Sequence, residues 1–136
     1  MSVVVDASVL VAAMSDAGEE GTWAEDVLAR SRAVFAPHLA LVEATNILRR
    51  LEASGLITSA AGAAALADLL DLDLVLAPFD PFAERVWELR RNLTSYDAWY
   101  VAVAEALGLP LATLDRRLAR APGPSCRFLT PRSRAG

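Results

Sequence analysis

The amino-acid sequence predicts an α/β fold, a three-layer sandwich in which helices flank a central parallel sheet of about five short strands. Short apolar runs typical of buried strands alternate with longer segments that carry helix-capping residues and helical periodicity. The 136 residues are enough for a proper core, and 54% of them are hydrophobic. We therefore expect one domain over residues 1–136, with residues 130–136 as a flexible basic tail.

Five apolar runs are the predicted strands. The first consists of three valines, and its lack of polar alternation is typical of a strand that is buried on both faces. Proline closes the second run at Pro37 and follows the third at Pro78, since proline cannot donate a hydrogen bond to a neighbouring strand. The predicted strands cover residues 3–5, 34–36, 74–76, 111–113 and 127–129.

Helices are predicted between these strands from their caps and their apolar spacing. Thr22 and Glu25 have the spacing of a capping box, which predicts a helix that starts near Glu25. Gly55 is a typical C-terminal stop, and Asp80 with Pro81 is a typical first-turn pair. The predicted helices cover residues 7–14, 25–30, 39–53, 59–70, 80–91, 96–107 and 115–121.

The composition limits the chemistry that is available. Cys126 is the single cysteine and His38 the single histidine, so a disulfide within the chain and a thiol-based zinc site are both excluded. All 13 residues of the lysine and arginine class are arginine. A metal ion would have to be bound mainly by oxygen, which suits Mg²⁺ or Mn²⁺.

The formal charge of −4 is unevenly distributed along the chain. Residues 1–115 carry all 17 acidic residues, whereas residues 116–136 carry six arginines and no acid. An acidic chain is unlike a general nucleic-acid coat protein, but its arginines can contact RNA phosphates locally. No apolar run approaches the ~18 residues of a membrane span, and the first residues lack a signal-peptide pattern. We expect a cytoplasmic protein that does not bind membranes.

Four acidic residues fall where a parallel sheet places its binding site. Asp6 and Asp115 follow the first and fourth predicted strands, and the carboxyl ends of parallel strands meet at one edge. Glu43 and Asp97 lie in the first turns of two predicted helices, and Glu43 stands in an apolar stretch where a carboxylate needs a partner. Taken singly, Asp6, Asp97 and Asp115 could each be explained by helix capping. Glu43 alone could be explained by an ion pair with a nearby arginine. Together they predict a divalent-metal site that hydrolyses a phosphodiester bond, because clustered carboxylates repel one another without a cation.

Four segments around these acids match a known family. They are Val5-Asp6-Ala7-Ser8, the run from Glu43 to Arg50, Thr94-Ser95-Tyr96-Asp97-Ala98, and the run from Ala112 to Leu118. In this order, the chain resembles the PIN-domain ribonucleases, and more closely the VapC-type toxins of toxin–antitoxin pairs, over nearly its whole length. The resemblance implies a PIN-like fold and assigns four residues as the catalytic, metal-binding cluster: Asp6, Glu43, Asp97 and Asp115.

The resemblance also implies an activity and its partners. Such an enzyme is a Mg²⁺- or Mn²⁺-dependent endoribonuclease that cuts structured RNA, often tRNA or ribosomal RNA. A cognate VapB-type antitoxin inhibits it, and it commonly forms a homodimer. These properties are expectations for the present chain.

Further residues of the matching segments are candidates for supporting roles. Ser8 and Thr113 could hydrogen-bond to Asp6 or to a metal-bound water, as groups around metal ligands usually do. Helix capping by Ser8 and strand packing by Thr113 stay equally open. Asn46 lies one helical turn from Glu43 and could orient its carboxylate.

Residues next to the acids are candidates for contact with RNA. Arginine supplies phosphate contacts, and Tyr96 precedes a predicted helix, where its ring could stack on a base. A solvated surface role stays open for each arginine. Trp99 and Tyr100 are interpreted as core residues instead. The candidates are Arg49, Arg50, Tyr96, Arg116 and Arg117.

Other classes that group acids on similar sheets lack a required residue here. Receiver domains and haloacid-dehalogenase-type phosphatases use a lysine, and P-loop NTPases need a glycine-rich loop that ends in lysine. The chain contains no lysine. The remaining alternative is a PIN fold that is kept as a binding module without catalysis.

Overall fold

Five short strands form the centre of the protein, in a computed structural model that describes residues 1–132. They are β1 (Val3–Val5), β2 (Val34–Pro37), β3 (Leu74–Ala77), β4 (Leu111–Ala112) and β5 (Phe128–Leu129). All neighbouring strands are parallel, in the order β3-β2-β1-β4-β5. The chain starts in the middle of the sheet, builds out to one edge and then crosses to the other, so the topological switch point lies between β1 and β4. The predicted α/β fold is confirmed.

Helices connect these strands and cover the sheet. They are α1 (Ala7–Ser15), α2 (Glu19–Arg30), α3 (Ala40–Ala53), α4 (Ser59–Leu70), α5 (Ala83–Glu88), α6 (Ser95–Leu107) and α7 (Arg116–Ala119), with a 3₁₀ turn at Asp80–Phe82. Helix α1 packs against α2, α3 and α4, whereas α6 packs against α5 and the central strands. Within residues 1–132, no helix has both the length and the apolar character that crossing a membrane requires.

The central strand is the most deeply buried element. Val3, Val4 and Val5 are at most 1% exposed. Val4 pairs with Phe35 of β2 on one side and with Leu111 of β4 on the other. An all-valine strand suits this position, because it is covered by helices on both faces and by strands on both edges.

Two predicted helices differ from those observed. Helix α2 begins at Glu19, and the predicted cap residue Thr22 lies inside it, where its hydroxyl donates to the carbonyl oxygen of Gly18 at 3.1 Å. The capping-box prediction is wrong because Gly18 ends the preceding loop and the two glutamates that follow it favour a helix start. The helix predicted over residues 80–91 is divided into the 3₁₀ turn and α5, which ends at Glu88.

The last elements are shorter than predicted. Strand β4 ends before Thr113 and β5 begins after Arg127, while α7 is a single turn. The backbone N–H of Thr113 still donates to the carbonyl of Leu129 at 3.0 Å. Thr113 is therefore held in place at the carboxyl edge of the sheet although it lies outside the strand.

The predicted basic tail is described as far as Arg132. The carbonyl oxygen of Pro131 accepts a hydrogen bond from Nη2 of Arg116 at 2.9 Å, which ties this part to α7. The rest of that prediction, residues 133–136, lies outside the described residues.

Gly21 has no room for a side chain, since a Cβ there would lie 1.7 Å from the carbonyl oxygen of Asp16. We expect Gly21→Ala to lower the free energy of unfolding by about 1–3 kcal/mol, because overpacking forces the backbone to shift. Gly62→Ala in α4 is the matched control: the nearest atoms to its Cβ are 3.5 Å away, on Glu52 and Ile57. It should stabilise by about 0.5–1 kcal/mol. Urea denaturation measures both, and equal effects would contradict the close approach at Gly21.

Candidate active site

Asp6 joins the central strand to the first helix. Its backbone N–H donates to the carbonyl of Ala112 in β4 at 3.2 Å, and its side chain is 8% exposed. Oδ1 accepts hydrogen bonds from the backbone N–H of Val9 at 3.2 Å and from the hydroxyl of Ser8 at 2.5 Å. Oδ2 accepts from the hydroxyl of Thr113. Asp6 is therefore the N-cap of α1, and both of its oxygens are held in fixed directions at the switch point.

Burial raises the pKa of Asp6 above its ordinary value, although hydrogen bonds from Ser8, Thr113 and Val9 act in the opposite direction. The hydrogen bonds offset part of the cost of burying a charge, and no side chain supplies a compensating positive charge: within residues 1–132, Asp6 forms no ion pair. A cation at this position would favour its ionised form.

Asp115 is coupled to Asp6 through Thr113. The hydroxyl of Thr113 donates to Asp6 and accepts from the backbone N–H of Asp115 at 2.9 Å. Oδ1 of Asp115 also caps α7, accepting from the backbone N–H groups of Arg117 and Leu118 at 2.9 and 3.2 Å. The capping role is therefore real, but it uses Oδ1 alone. The side chain is exposed at the same edge of the sheet as Asp6.

Glu43 lies on α3 and reaches across to α6. The hydroxyl of Tyr100, which is 2% exposed, donates to Oε1 of Glu43 at 2.7 Å. Burial raises the pKa of Glu43, the Tyr100 hydrogen bond lowers it, and the charge of Asp6 raises it again, with a net increase. Burial together with Glu43 raises the pKa of Tyr100, so its hydroxyl stays a donor at neutral pH.

Tyr100, instead of Asn46, forms the hydrogen bond that orients Glu43. The side-chain oxygen of Asn46 accepts a hydrogen bond from Nε of Arg49 at 2.9 Å, so Asn46 faces along its own helix instead of toward the carboxylate. This corrects the predicted contact between Asn46 and Glu43. The sequence interpretation placed Tyr100 in the core, which is right for its ring and misses its hydroxyl. Its spacing of three residues from Asp97, on one face of a helix, is the signal that points to the site.

Asp97 lies in the first turn of α6, where its backbone N–H donates to the hydroxyl oxygen of Thr94 at 3.2 Å. Burial raises the pKa of Asp97, and the charges of the other three carboxylates raise it further. Thr94 acts in the opposite direction through its hydrogen bond. Asp97 thus lies within electrostatic reach of all three, which are Asp6, Glu43 and Asp115.

The four carboxylates share one region of the described chain without a cationic side chain paired to any of them. In residues 1–132 no three Asp, Glu, His or Cys side chains stand at the spacing of a metal-ligand set. The donors are all carboxylate oxygens, which suit Mg²⁺ or Mn²⁺. A divalent ion relieves repulsion of this kind and lowers the pKa of a bound water. The donor chemistry suits such an ion, although the four side chains are not gathered into a ligand set among residues 1–132. The ligands predicted from the sequence stay Asp6, Glu43, Asp97 and Asp115.

The residues predicted to contact RNA are all exposed, but they differ in their surroundings. Arg117 lines an open cleft together with Asp97 and Asp115. Arg116 turns away and donates to the carbonyl of Pro131. The others lie on α3 and at the start of α6: Arg49, Arg50 and Tyr96.

The sheet order and the acidic carboxyl edge define a PIN-type domain, and the sequence profile of the PIN domain matches residues 3–124. The chain belongs to the PIN-domain family. It is 42% identical over 126 residues to Ribonuclease VapC1 of Mycobacterium tuberculosis, covering 92% of this chain and 94% of that protein, which places it among the VapC ribonucleases. The family predicted from the four sequence segments is confirmed.

Two solved structures extend this likeness. PAE2754 from Pyrobaculum aerophilum is similar with a TM-score of 0.65 and 30% sequence identity, covering 88% of this chain and 83% of that chain. VapBC2 from Rickettsia felis, solved bound to a DNA fragment from its promoter, gives a TM-score of 0.65 at 14% identity, covering 96% and 98% of the two chains. The second likeness supports the fold alone.

Because the pKa of Asp97 is higher in the folded protein than in the unfolded chain, its ionisation opposes folding. Its contribution to stability is complete below the ordinary carboxyl pKa and is lost as pH rises through the raised value. The metal-free Asp97→Asn variant should therefore be more stable than the parent chain at pH 7, by roughly 0.2–1 kcal/mol because solvent screens a partly exposed carboxylate. The gain should disappear near pH ~4.

Urea denaturation in EDTA across this pH range measures the difference, and Glu25→Gln, an exposed acid within α2, is the control. Saturating Mn²⁺ should reverse the order, because binding to the folded protein stabilises the parent chain more. Equal stability of Asp97→Asn and the parent chain at every pH would contradict carboxylate repulsion at this site.

Tyr100→Phe removes the hydroxyl that donates to Glu43 and leaves the buried ring in place. We expect a loss of about 0.5–1.5 kcal/mol in stability, the net contribution of one hydrogen bond to a partly buried acceptor. The pKa of Glu43 should rise further, since this hydrogen bond lowers it, so half-maximal Mn²⁺ binding should shift to higher pH. Calorimetric titration of Mn²⁺ at several pH values measures the shift. An unchanged pH profile would show that Tyr100 does not support the carboxylate.

Proposed function

We propose that this protein is a Mg²⁺- or Mn²⁺-dependent endoribonuclease toxin that hydrolyses structured RNA, such as tRNA or ribosomal RNA. A cognate VapB-type antitoxin inhibits it. The observation that carries the proposal is the mutual electrostatic influence of four carboxylates at the carboxyl edge of the sheet, in a chain that belongs to the VapC ribonucleases.

The divalent ion, when bound, supplies an activated water and shields the charge that develops on phosphate. The side chains of the protein then have two tasks. Asp6, Glu43, Asp97 and Asp115 bind and orient. Around them, Ser8 and Thr113 hold Asp6 and Tyr100 holds Glu43, each through a donated hydrogen bond.

We further propose that the protein acts in the cytoplasm, as a homodimer when free of antitoxin. Several large apolar side chains are between 62% and 73% exposed and supply surface for a second subunit or for the antitoxin. They are Met1, Val42, Leu56, Leu70 and Trp87.

Cleavage of a fluorogenic structured RNA by purified, antitoxin-free protein tests the proposal. Mg²⁺ or Mn²⁺ should stimulate cleavage and EDTA should stop it. Asp6→Asn should reduce the rate more than about 100-fold. Removing only a residue that hydrogen-bonds to a metal ligand already costs about 10–100-fold, and this variant changes a predicted ligand itself. Its circular dichroism should match that of the parent chain, because the amide oxygen still caps α1.

Glu25→Gln is again the control and should cleave at the parent rate. Two results would contradict the proposal: no metal-stimulated cleavage of any structured RNA, or an Asp6→Asn variant that cuts as fast as the parent chain. RNA binding without cleavage would instead favour the alternative, a PIN fold kept as a binding module.

A further inference from the structure

An open cleft of about 610 Å³ runs from the acidic cluster between the start of α6 and the segment around α7. Asp97 and Asp115 are among the residues that line it. Its two walls differ in character, since one carries arginines and the other carries neutral polar groups. The side chains that matter for its chemistry are Asn92, Thr94, Asp97, Asp115, Arg117 and Arg120.

The two arginines of this wall, Arg117 and Arg120, have side-chain nitrogens that form no hydrogen bond within residues 1–132. Within residues 1–132, the side chain of Arg117 forms no hydrogen bond or ion pair, and it is exposed. Arg120 uses Nε to donate to the backbone carbonyl of Arg116 at 3.1 Å, and its two terminal nitrogens stay available. Arg116 itself is engaged with Pro131.

The position of Arg117 relative to the acids is fixed by the backbone. Its N–H donates to Oδ1 of Asp115 at 2.9 Å, so the residue that carries the guanidinium is held directly beside one carboxylate. A guanidinium this near an acid would ordinarily pair with it. The side chain of Arg117 faces the cleft without doing so, and an anion that enters the cleft can be bound by it.

We infer that this cleft holds the unpaired RNA strand on one side of the cleaved bond, with Arg117 and Arg120 bound to a flanking phosphate. The inference rests on the proposed ribonuclease function. A polyanion next to four carboxylates needs cations along its path, and arginine forms paired hydrogen bonds to phosphate. The cations lie beside the acids rather than among them, so they bind the neighbouring phosphate.

The opposite wall suits the rest of a nucleotide. Asn92 offers an amide, and the hydroxyl of Thr94, which is hydrogen-bonded to Asp97, lies on the same side of the cleft. Such groups bind sugar hydroxyls and base edges. The volume falls within the roughly 300–1,000 Å³ of clefts that enclose one small ligand. It therefore fits individual nucleotides of a loop, the form in which proteins read RNA sequence.

Binding, measured apart from cleavage, tests this inference. In an Asp6→Asn background with Mg²⁺, fluorescence anisotropy follows a labelled single-stranded oligoribonucleotide and a duplex of the same length over a range of salt concentrations. We expect Arg117→Gln with Arg120→Gln to weaken single-strand binding at least 10-fold. The slope of log affinity against log salt should fall by about 0.7 for each phosphate that the variant no longer binds.

The matched control is Arg32→Gln with Arg127→Gln. Both arginines are exposed, and each precedes a strand, at the opposite edge of the sheet from the acids. The control removes the same charge and should change affinity less than 2-fold. In the chain with Asp6 intact, the Arg117 and Arg120 substitutions should raise KM and leave kcat within about 3-fold.

Three results would overturn the inference: equal losses of affinity in the control and the cleft variant, an unchanged salt slope, or a duplex bound as tightly as the single strand. Each leaves the proposed function standing if the parent chain still cleaves RNA. A parent chain that binds the oligonucleotide through these arginines yet never cleaves would contradict the proposed function and support the cleft.

Discussion

A buried carboxylate at the switch point of the sheet is the constraint on which the site depends. Asp6 pairs its backbone with β4, caps α1 with one oxygen and accepts the hydroxyl of Thr113 with the other. These contacts join the central strand, the helix after it and the neighbouring strand at one residue. Because the side chain is nearly inaccessible and lacks a positive partner among residues 1–132, burial leaves it with a raised pKa. The charge of Asp6 in turn raises the pKa of Glu43 and of Asp97.

The fold tolerates the repulsion by placing each acid where the backbone favours it. Asp97 and Asp115 stand at the beginnings of α6 and α7, where free N–H groups favour negative charge. Glu43 instead depends on the donor hydroxyl of Tyr100. Each of these gains is about the size of one hydrogen bond or one charge at a helix end, roughly 0.3–3 kcal/mol. The site is thus held together by local contacts that work against its own electrostatics, a common arrangement in functional sites.

The parts of this fold that follow from short-range rules could be predicted from the sequence, and the others could not. The valines of β1 followed by Asp6 identify a buried strand and a residue at its carboxyl end without any knowledge of the neighbours. The contact between Tyr100 and Glu43 joins residues of two helices that are 57 positions apart in the chain, so no local pattern contains it. The helix start predicted at Thr22 was wrong for the opposite reason. The capping-box pattern was complete, but the helix begins earlier, after Gly18.

Hydrogen bonds around Glu105 attach the segment that follows α7 to helices α5 and α6. Arg85 donates to both carboxylate oxygens of Glu105, at 2.7 and 3.1 Å, and to the carbonyl of Gly123. Ser125 donates to the same carboxylate through its backbone and its hydroxyl. Burial would raise the pKa of Glu105, but these hydrogen bonds outweigh it and lower the pKa. This network attaches the segment that follows α7 to α5 and α6, next to the wall of the cleft. Arg117 lies on that wall with its donors unused, so binding a phosphate would order its side chain, at a cost of about 0.5–1.5 kcal/mol, without moving the segment behind it.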